Sequence, residues 1–407
     1  MTAGPIDHNL RERARQVIPG GLWGHLNAAN LPPGYPQYFT RGDGCRIWDV
    51  DGREFVDFMC AWGPIVLGHH HPGVTEAARR QAELGDCLNG PAPVLVELAE
   101  LLVDMIPHAA WCLLAKNGGD ATTACVTIAR AGTGRRKVLV ARGSYHGAVP
   151  WCSPSLAGVT AEDRAHLIPF EYNDVASLEA AVDQAGNDLA AVIVTAFRHD
   201  MGRTLELPSE PFAHQARALC DATGAALILD DVRAGFRLDM GGSWETVGVR
   251  PDLSAFSKAI ANGHALAAVT GVERFRHAAT TVFTTGSFWC SAVSMAAAVA
   301  TLTELRRIDG PAVMRQMGER FRTGIAILSQ RHGIPVTQSG PPQMPLIQFA
   351  GDTDARLGTA FCAAALDAGA FFHPRHNMFL SCAHGEADID LALEAADAGF
   401  TRVASLG

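Results

Sequence analysis

The 407 residues carry Lys+Arg 33 against Asp+Glu 42, a net charge of -9, with 48% hydrophobic and 18% charged residues. At roughly 100–200 residues per domain the length allows two or three domains with a sizeable core, and the composition excludes disorder over most of the chain. The charge has the wrong sign for a nucleic-acid binder, and no stretch approaches about 18 unbroken apolar residues, so neither a nucleic-acid nor a membrane partner is expected.

Residues 10–17 read as a charged helix and the turn-rich stretch to Pro36 as an arm. Residues 42–58 read as a β-hairpin, because apolar alternation is interrupted by the Asp51-Gly52 pair. Gly68-His69-His70-His71-Pro72 reads as a structural turn rather than a metal site. Three adjacent imidazoles cannot all face one ion, and no acidic or Cys partner stands at ligand spacing.

From about 60 to 300, helical windows alternate with short apolar runs at 111–115, 137–141, 190–195, 225–229 and 267–271. Such runs are what strands covered on both faces look like, so an α/β, three-layer domain with a mainly parallel sheet is expected. Beyond 300 come a long amphipathic helix pattern, a Pro-rich break at 341–345, and apolar runs at 346–350 and 378–382, which predict a smaller α+β domain. The expected division is an arm and hairpin (1–58) packing with the small domain, a large domain (59–300) and a small C-terminal domain (301–407). Ten cysteines without a Cys-x-x-Cys pair, behind an N-terminus with no apolar leader, predict reduced thiols and a cytoplasmic protein.

Ligands of open α/β sheets bind beyond the carboxyl ends of the strands. There the sequence places Asp230-Asp231, alternatively a solvated strand end, and Asn117-Gly118-Gly119-Asp120 before a helix, alternatively a plain cap. Gly143-Ser144-Tyr145-His146-Gly147 could stack a flat ring or be an ordinary loop. Lys258, flanked by apolar residues, is either a lysine with a lowered pKa or an amphipathic surface residue.

Taken in order, Ile18-Pro-Gly-Gly21, Asp49-Val-Asp-Gly52, Trp62 to Pro72, Thr133-Gly-Arg135, Tyr145-His-Gly147, Leu229 to Arg237, Pro251-Asp-Leu253, Ser257-Lys258 and Thr285-Gly-Ser287 resemble the signatures of the class III aminotransferases of pyridoxal-phosphate fold type I, closest to the glutamate-1-semialdehyde aminomutase branch. The resemblance implies an aminotransferase moving an amino group between an amino acid or amine and a keto acid or aldehyde, through a Schiff base of Lys258 with pyridoxal 5'-phosphate. The alternative on the same cofactor is an isomerase, either an aminomutase or an amino-acid epimerase. Asp230 would face the pyridine nitrogen, Tyr145 and Val232 the two ring faces, and Gly118, Gly119 and Asp120 the phosphate, with His146 and Gly286 beside the cofactor. Ser287 would reach the phosphate of a second subunit, which implies a homodimer. Trp62, Trp23, His25, Thr195, Trp289 and Arg375 are the candidates for the substrate pocket, with Arg233, His373 and His376 as further candidates to meet a carboxylate; no metal is implied.

The chain departs from that family where substrate is read. Thr195-Ala196-Phe197 replaces Glu-Pro-Val, the phosphate turn is one residue shorter, and Asn27 stands where the aminomutases carry a carboxylate-binding Arg. A different substrate range and gate are expected.

Overall fold

A computed structural model describes residues 4–406. They divide into two compact units, one of residues 4–71, 201–204 and 312–406, the other of 72–200 and 205–311.

The first unit opens with α1 (Pro5–Val17) and continues as an antiparallel meander, β1 (Phe39–Asp43), β2 (Arg46–Asp49) and β3 (Glu54–Asp57). The Asp49 carboxylate organises the β2–β3 turn, accepting from the amides of Asp51 (3.0 Å) and Arg53 (2.8 Å) and from Arg53 Nε (2.7 Å).

In the second unit α2 (Pro72–Leu84) and α3 (Val94–Met105) precede β4 (Trp111–Ala115), α4 (Gly118–Thr133), β5 (Lys137–Ala141), β6 (Leu167–Phe170) and α5 (Val175–Ala185). Then follow β7 (Leu189–Thr195), α6 (Glu210–Thr223), β8 (Ala226–Asp230), β9 (Leu253–Phe256), β10 (Ala267–Gly271), α7 (Arg276–Thr281) and α8 (Ala292–Ile308). The seven strands form one sheet ordered β4-β10-β9-β8-β7-β5-β6, in which only β10 runs against its neighbours. Alternation along the strands feeds two cores. Ala191, Ile193, Ala226 and Ile228 pack with Cys125, Ile128 and Ala129 of α4, while Val192, Val194, Leu227 and Leu229 pack with Leu178 of α5 and Phe212 and Ala216 of α6.

The first unit resumes with most of α9 (Gly310–His332), then β11 (Val336–Ser339), β12 (Leu346–Phe349), α10 (Arg356–Asp367), β13 (Ala370–Phe371) and α11 (Glu386–Ala404). β13 adds in parallel to β3, making β1-β2-β3-β13 one sheet. The apolar run at 378–382 forms no ladder: it is extended chain tied through the amides of Phe379, Leu380 and Cys382 to the carbonyls of Phe58, Gln343 and Val66. No helix among the described residues is long and apolar enough to cross a membrane.

The triple histidine is a turn with an anchor. His69 Nε2 lies 2.8 Å from Asp57 Oδ2, while Asp57 Oδ1 accepts from the amides of Met59 (2.8 Å) and Cys60 (2.9 Å). That carboxylate heads a turn in which Cys60, Ala61 and Trp62 all hold left-handed φ, at 47°, 53° and 66°. For residues with a Cβ each such conformation costs roughly 1–2 kcal/mol, and strain of this kind persists only where the surroundings enforce it.

Candidate active site

β4, β5, β7, β8 and β9 end at the same edge of the large sheet, and the segments leaving them carry the candidate residues. β8 ends in Asp230, which pairs in register with Thr195 of β7 and Ala255 of β9. Asp230 is buried, and its Oδ2 lies 2.7 Å from Nδ1 of buried His146. Ser144 Oγ stands 3.0 Å from the other ring nitrogen, and Thr122 Oγ1 donates to the His146 carbonyl at 2.6 Å. The Val232 amide donates to Asp230 Oδ1 at 3.2 Å.

Beside it, Asp231 is enclosed by Ser243, whose amide (2.8 Å) and hydroxyl (2.5 Å) both donate to it. Burial outweighs these bonds and pushes its carboxyl up to about 7.

Lys258 follows β9 through Ser257, whose hydroxyl donates to the Leu266 carbonyl at 2.8 Å and fixes the bend. Burial, and after it the guanidinium charges of Arg233 and Arg237, hold the Lys258 amine well below the ordinary lysine value against the opposing pull of Asp230. The shift favours the uncharged amine, the nucleophilic form. Arg233 is itself lowered to about 10 by burial, with Asp230, Tyr145 and Asp200 opposing. Tyr145 keeps 47% of its surface exposed, leaving room on its ring for a flat partner.

At the start of α4 the backbones are in close approach. A Cβ on Gly118 would stand 2.6 Å from Val232 Cγ1, and one on Gly147 (φ +134°) 2.9 Å from the Gly119 Cα. The amides of Gly118 and Gly119 make no hydrogen bond among the described residues, so the helix N-terminus offers two donors and its partial positive charge to an anion. Asp120 closes back on the Asn117 amide at 2.9 Å and serves as the capping partner. These residues fit a phosphorylated, flat, aldehyde-bearing ring: an anion cradle, an aromatic face, a buried carboxylate and a lysine whose amine is lowered toward its nucleophilic form.

The model of the family described as Aminotransferase class-III matches residues 31–384. The chain is a class-III aminotransferase. It is 47% identical over 403 residues to an aminopentol aminotransferase of Sphingopyxis macrogoltabida, covering 99% of this chain and 96% of that one. It is 32% identical to a glutamate-1-semialdehyde 2,1-aminomutase of Syntrophobacter fumaroxidans, covering 98% of each. Among solved structures, that of the FumI protein of Sphingopyxis sp. MTA144 with PLP superimposes with a TM-score of 0.97 at 47% identity, covering 98% of this chain and 96% of that one.

Within this class-III aminotransferase, Gly118, Val232, Asp230 and His146 are linked by close approach and hydrogen bonds, and the Asp230 charge acts on Tyr145 and Lys258. The Thr195 hydroxyl is committed to the Phe197 carbonyl at 2.9 Å. Gly286 packs under the Trp289 ring, which also joins the core around Trp111 and lines a cavity of about 470 Å³ with Thr284, Thr285 and Cys290. Ser287 lies exposed between Phe283 and Phe288, themselves 91% and 68% exposed.

In the other unit Trp62 meets His25, His373 and His376, whereas Trp23 is exposed and Arg375 Nη2 donates to the Asp354 carbonyl at 2.6 Å. Asn27 is a structural residue: its amide donates to the carbonyls of Gly20 (3.1 Å) and Leu22 (2.6 Å), and its oxygen accepts from the Ala29 amide (2.9 Å). Sequence reasoning missed Arg237, fully buried and acting on Lys258; its signal was a charge set within the otherwise apolar run 234–238.

Proposed function

We propose that this enzyme, in which Lys258 would hold pyridoxal 5'-phosphate, moves an amino group from an amine donor carrying a hydroxylated chain to a keto acid or aldehyde. The observation that carries the reading is Lys258 just past the end of β9 at the carboxyl edge of the sheet, its amine lowered by burial and by the charges of Arg233 and Arg237 against the pull of Asp230. Asp230 would hold the ring nitrogen, Tyr145 and Val232 the ring faces, and the amides of Gly118 and Gly119 the phosphate. When bound, the cofactor supplies an electron-withdrawing ring that takes up the electron pair left when a proton leaves the donor carbon. Lys258 Nζ takes that proton and returns it at the neighbouring position, the two halves of the transfer being reversals of one another. His146 keeps Asp230 in place by its 2.7 Å bond.

The donor class is supported by the aminopentol named for the 47% identical relative. Transfer is favoured over the aminomutase outcome by Asn27, whose side chain is used up in its own loop where the aminomutases have an Arg. A homodimer in which Ser287 meets the partner's phosphate is supported by exposed Phe283 and Phe288 on either side of it. Ten free cysteines support a reducing, cytoplasmic setting.

The test is the visible spectrum of the purified holoenzyme on adding amines without an acceptor. Bleaching of the Schiff-base band with one equivalent of carbonyl product is expected. A band that survives in Lys258→Ala, or donors that turn over without a carbonyl product, overturns the reading.

A further inference from the structure

Of the ten cysteines only Cys87 and Cys290 are exposed; the other eight are buried or half-buried. The two stand 203 positions apart (290 − 87), yet the fold brings their segments together within the large-sheet unit. α2 ends at Leu84, and Gly85, at φ +114°, turns the chain so that Asp86 meets the start of α8. There the Asp86 carboxylate accepts from the Ser291 hydroxyl (2.7 Å) and the Val293 amide (2.9 Å), while the Asp86 carbonyl accepts from the Ala292 amide (3.2 Å). Cys87 directly follows Asp86 and Cys290 directly precedes Ser291, so each thiol is the next residue to one end of the Asp86–Ser291 bond.

A third side chain marks the same place. Lys116, one residue past β4 and half-buried, donates through Nζ to the Ala265 carbonyl at 3.0 Å. Burial lowers its amine, and Asp86, Cys87 and Cys290 are all near enough to oppose that shift. Neither cysteine belongs to a helix or strand, and Cys290 also lines the cavity of about 470 Å³, which leaves its side chain room to turn. A disulfide needs Cα atoms within roughly 7 Å and Cβ atoms directed at one another. Two exposed side chains on irregular backbone, each anchored one residue away, can reach that geometry by rotation and a small loop adjustment.

We propose that Cys87 and Cys290 are a peroxide-responsive dithiol that closes into an intrachain disulfide. In the first step the sulfur of one thiol attacks hydrogen peroxide: the O–O and S–H bonds break, an S–O bond forms, one water leaves and a sulfenic acid remains. In the second step the other sulfur attacks that sulfur: the S–S bond forms, the S–O bond breaks, and the hydroxyl leaves with the remaining thiol proton as a second water. The two sulfurs together lose two electrons and one peroxide is reduced to two waters. Closure ties the chain ahead of α3 to the segment that carries Gly286 and Ser287, and a dithiol reductant reverses it.

The test treats the holoenzyme with a limiting dose of hydrogen peroxide. Thiols are then counted on the native protein with dithiobis-nitrobenzoate and located by non-reducing peptide mapping after alkylation. The two fast-reacting thiols should be lost together, with one peptide pair joining Cys87 to Cys290 in a chain that still migrates as a monomer on a non-reducing denaturing gel. Dithiothreitol should restore both. Cys87→Ser and Cys290→Ser should each form no link and stop at a sulfenic acid that dimedone traps on the remaining thiol. Loss of one thiol alone, a link between two chains, or a link that persists in either variant overturns the inference. So does a treated wild type in which Cys87 and Cys290 both stay free.

Discussion

His146 Nδ1 and Asp230 Oδ2 are 2.7 Å apart, a hydrogen bond between two buried side chains. Ser144 donates its only proton to the Ala141 carbonyl at 2.7 Å, so toward His146 it can only accept. His146 Nε2 therefore carries a proton, and a second one lies in the bond to Asp230. Such a buried, charge-assisted bond fixes the carboxylate at the end of β8.

Replacing His146 by Phe leaves Asp230 buried without that donor. We expect a loss of about 1.5–3 kcal/mol in stability, read from the urea midpoint at unchanged slope, and weaker reconstitution with pyridoxal phosphate by titration of the apoenzyme. Ser144→Ala should cost less, about 0.5–1.5 kcal/mol. Equal effects of the two variants would contradict the chain of bonds described.

Lys258 sets a pH signature in the apoenzyme. Its folded value lies below the unfolded one, so between the two values the unfolded chain binds more protons and stability rises with pH. Lys258→Met should melt higher than wild type at neutral pH, and the advantage should shrink as pH approaches the unfolded lysine value near ~10.4. Melting curves of both apoproteins across that range decide it; a constant offset would show that the Lys258 amine is not lowered by the fold.

Asp231 acts in the opposite sense. With its folded value near 7 against an unfolded ~3.9, the folded protein binds the extra proton, so this group's contribution is intact below about pH 4 and is lost as pH rises to about 7. Asp231→Asn should remove that slope, gaining on wild type over this window by an amount on the order of 4 kcal/mol at most. Parallel pH–stability curves would refute the assignment.

Gly118→Ala should cost about 1–3 kcal/mol through its contact with Val232 Cγ1 at 2.6 Å, the scale of an overpacked core. Val232→Ala in the same chain should return part of the loss. A double-mutant cycle on denaturation midpoints measures the coupling, and strict additivity would count against the contact.

Strands marked by an unbroken apolar run were legible in the sequence: Trp111–Ala115, Lys137–Ala141 and Ala267–Gly271 begin and end where those runs do. β6 and β9 were not. Pro169 interrupts the first, tolerated because β6 is the sheet edge, and Ser254 the second, its hydroxyl buried against His108 Nε2 at 3.0 Å. At the site, Asp230 and Lys258 stood out as polar residues where apolar runs stop. The left-handed turn under Trp62 did not, since Cys-Ala-Trp contains no glycine to announce it.

The parallel pairing of β3 with β13 has a consequence for synthesis. Asp57 of β3 and Ala370 of β13 are 313 positions apart (370 − 57), so the hairpin edge leaves the ribosome long before its neighbour exists. At about 5–20 residues per second the wait is roughly 16–60 seconds. The whole of the large-sheet unit is translated in that interval, its last residue being 311. An unpaired strand edge exposed that long invites mispairing, a hazard that a chaperone covering the newborn N-terminal hairpin would offset.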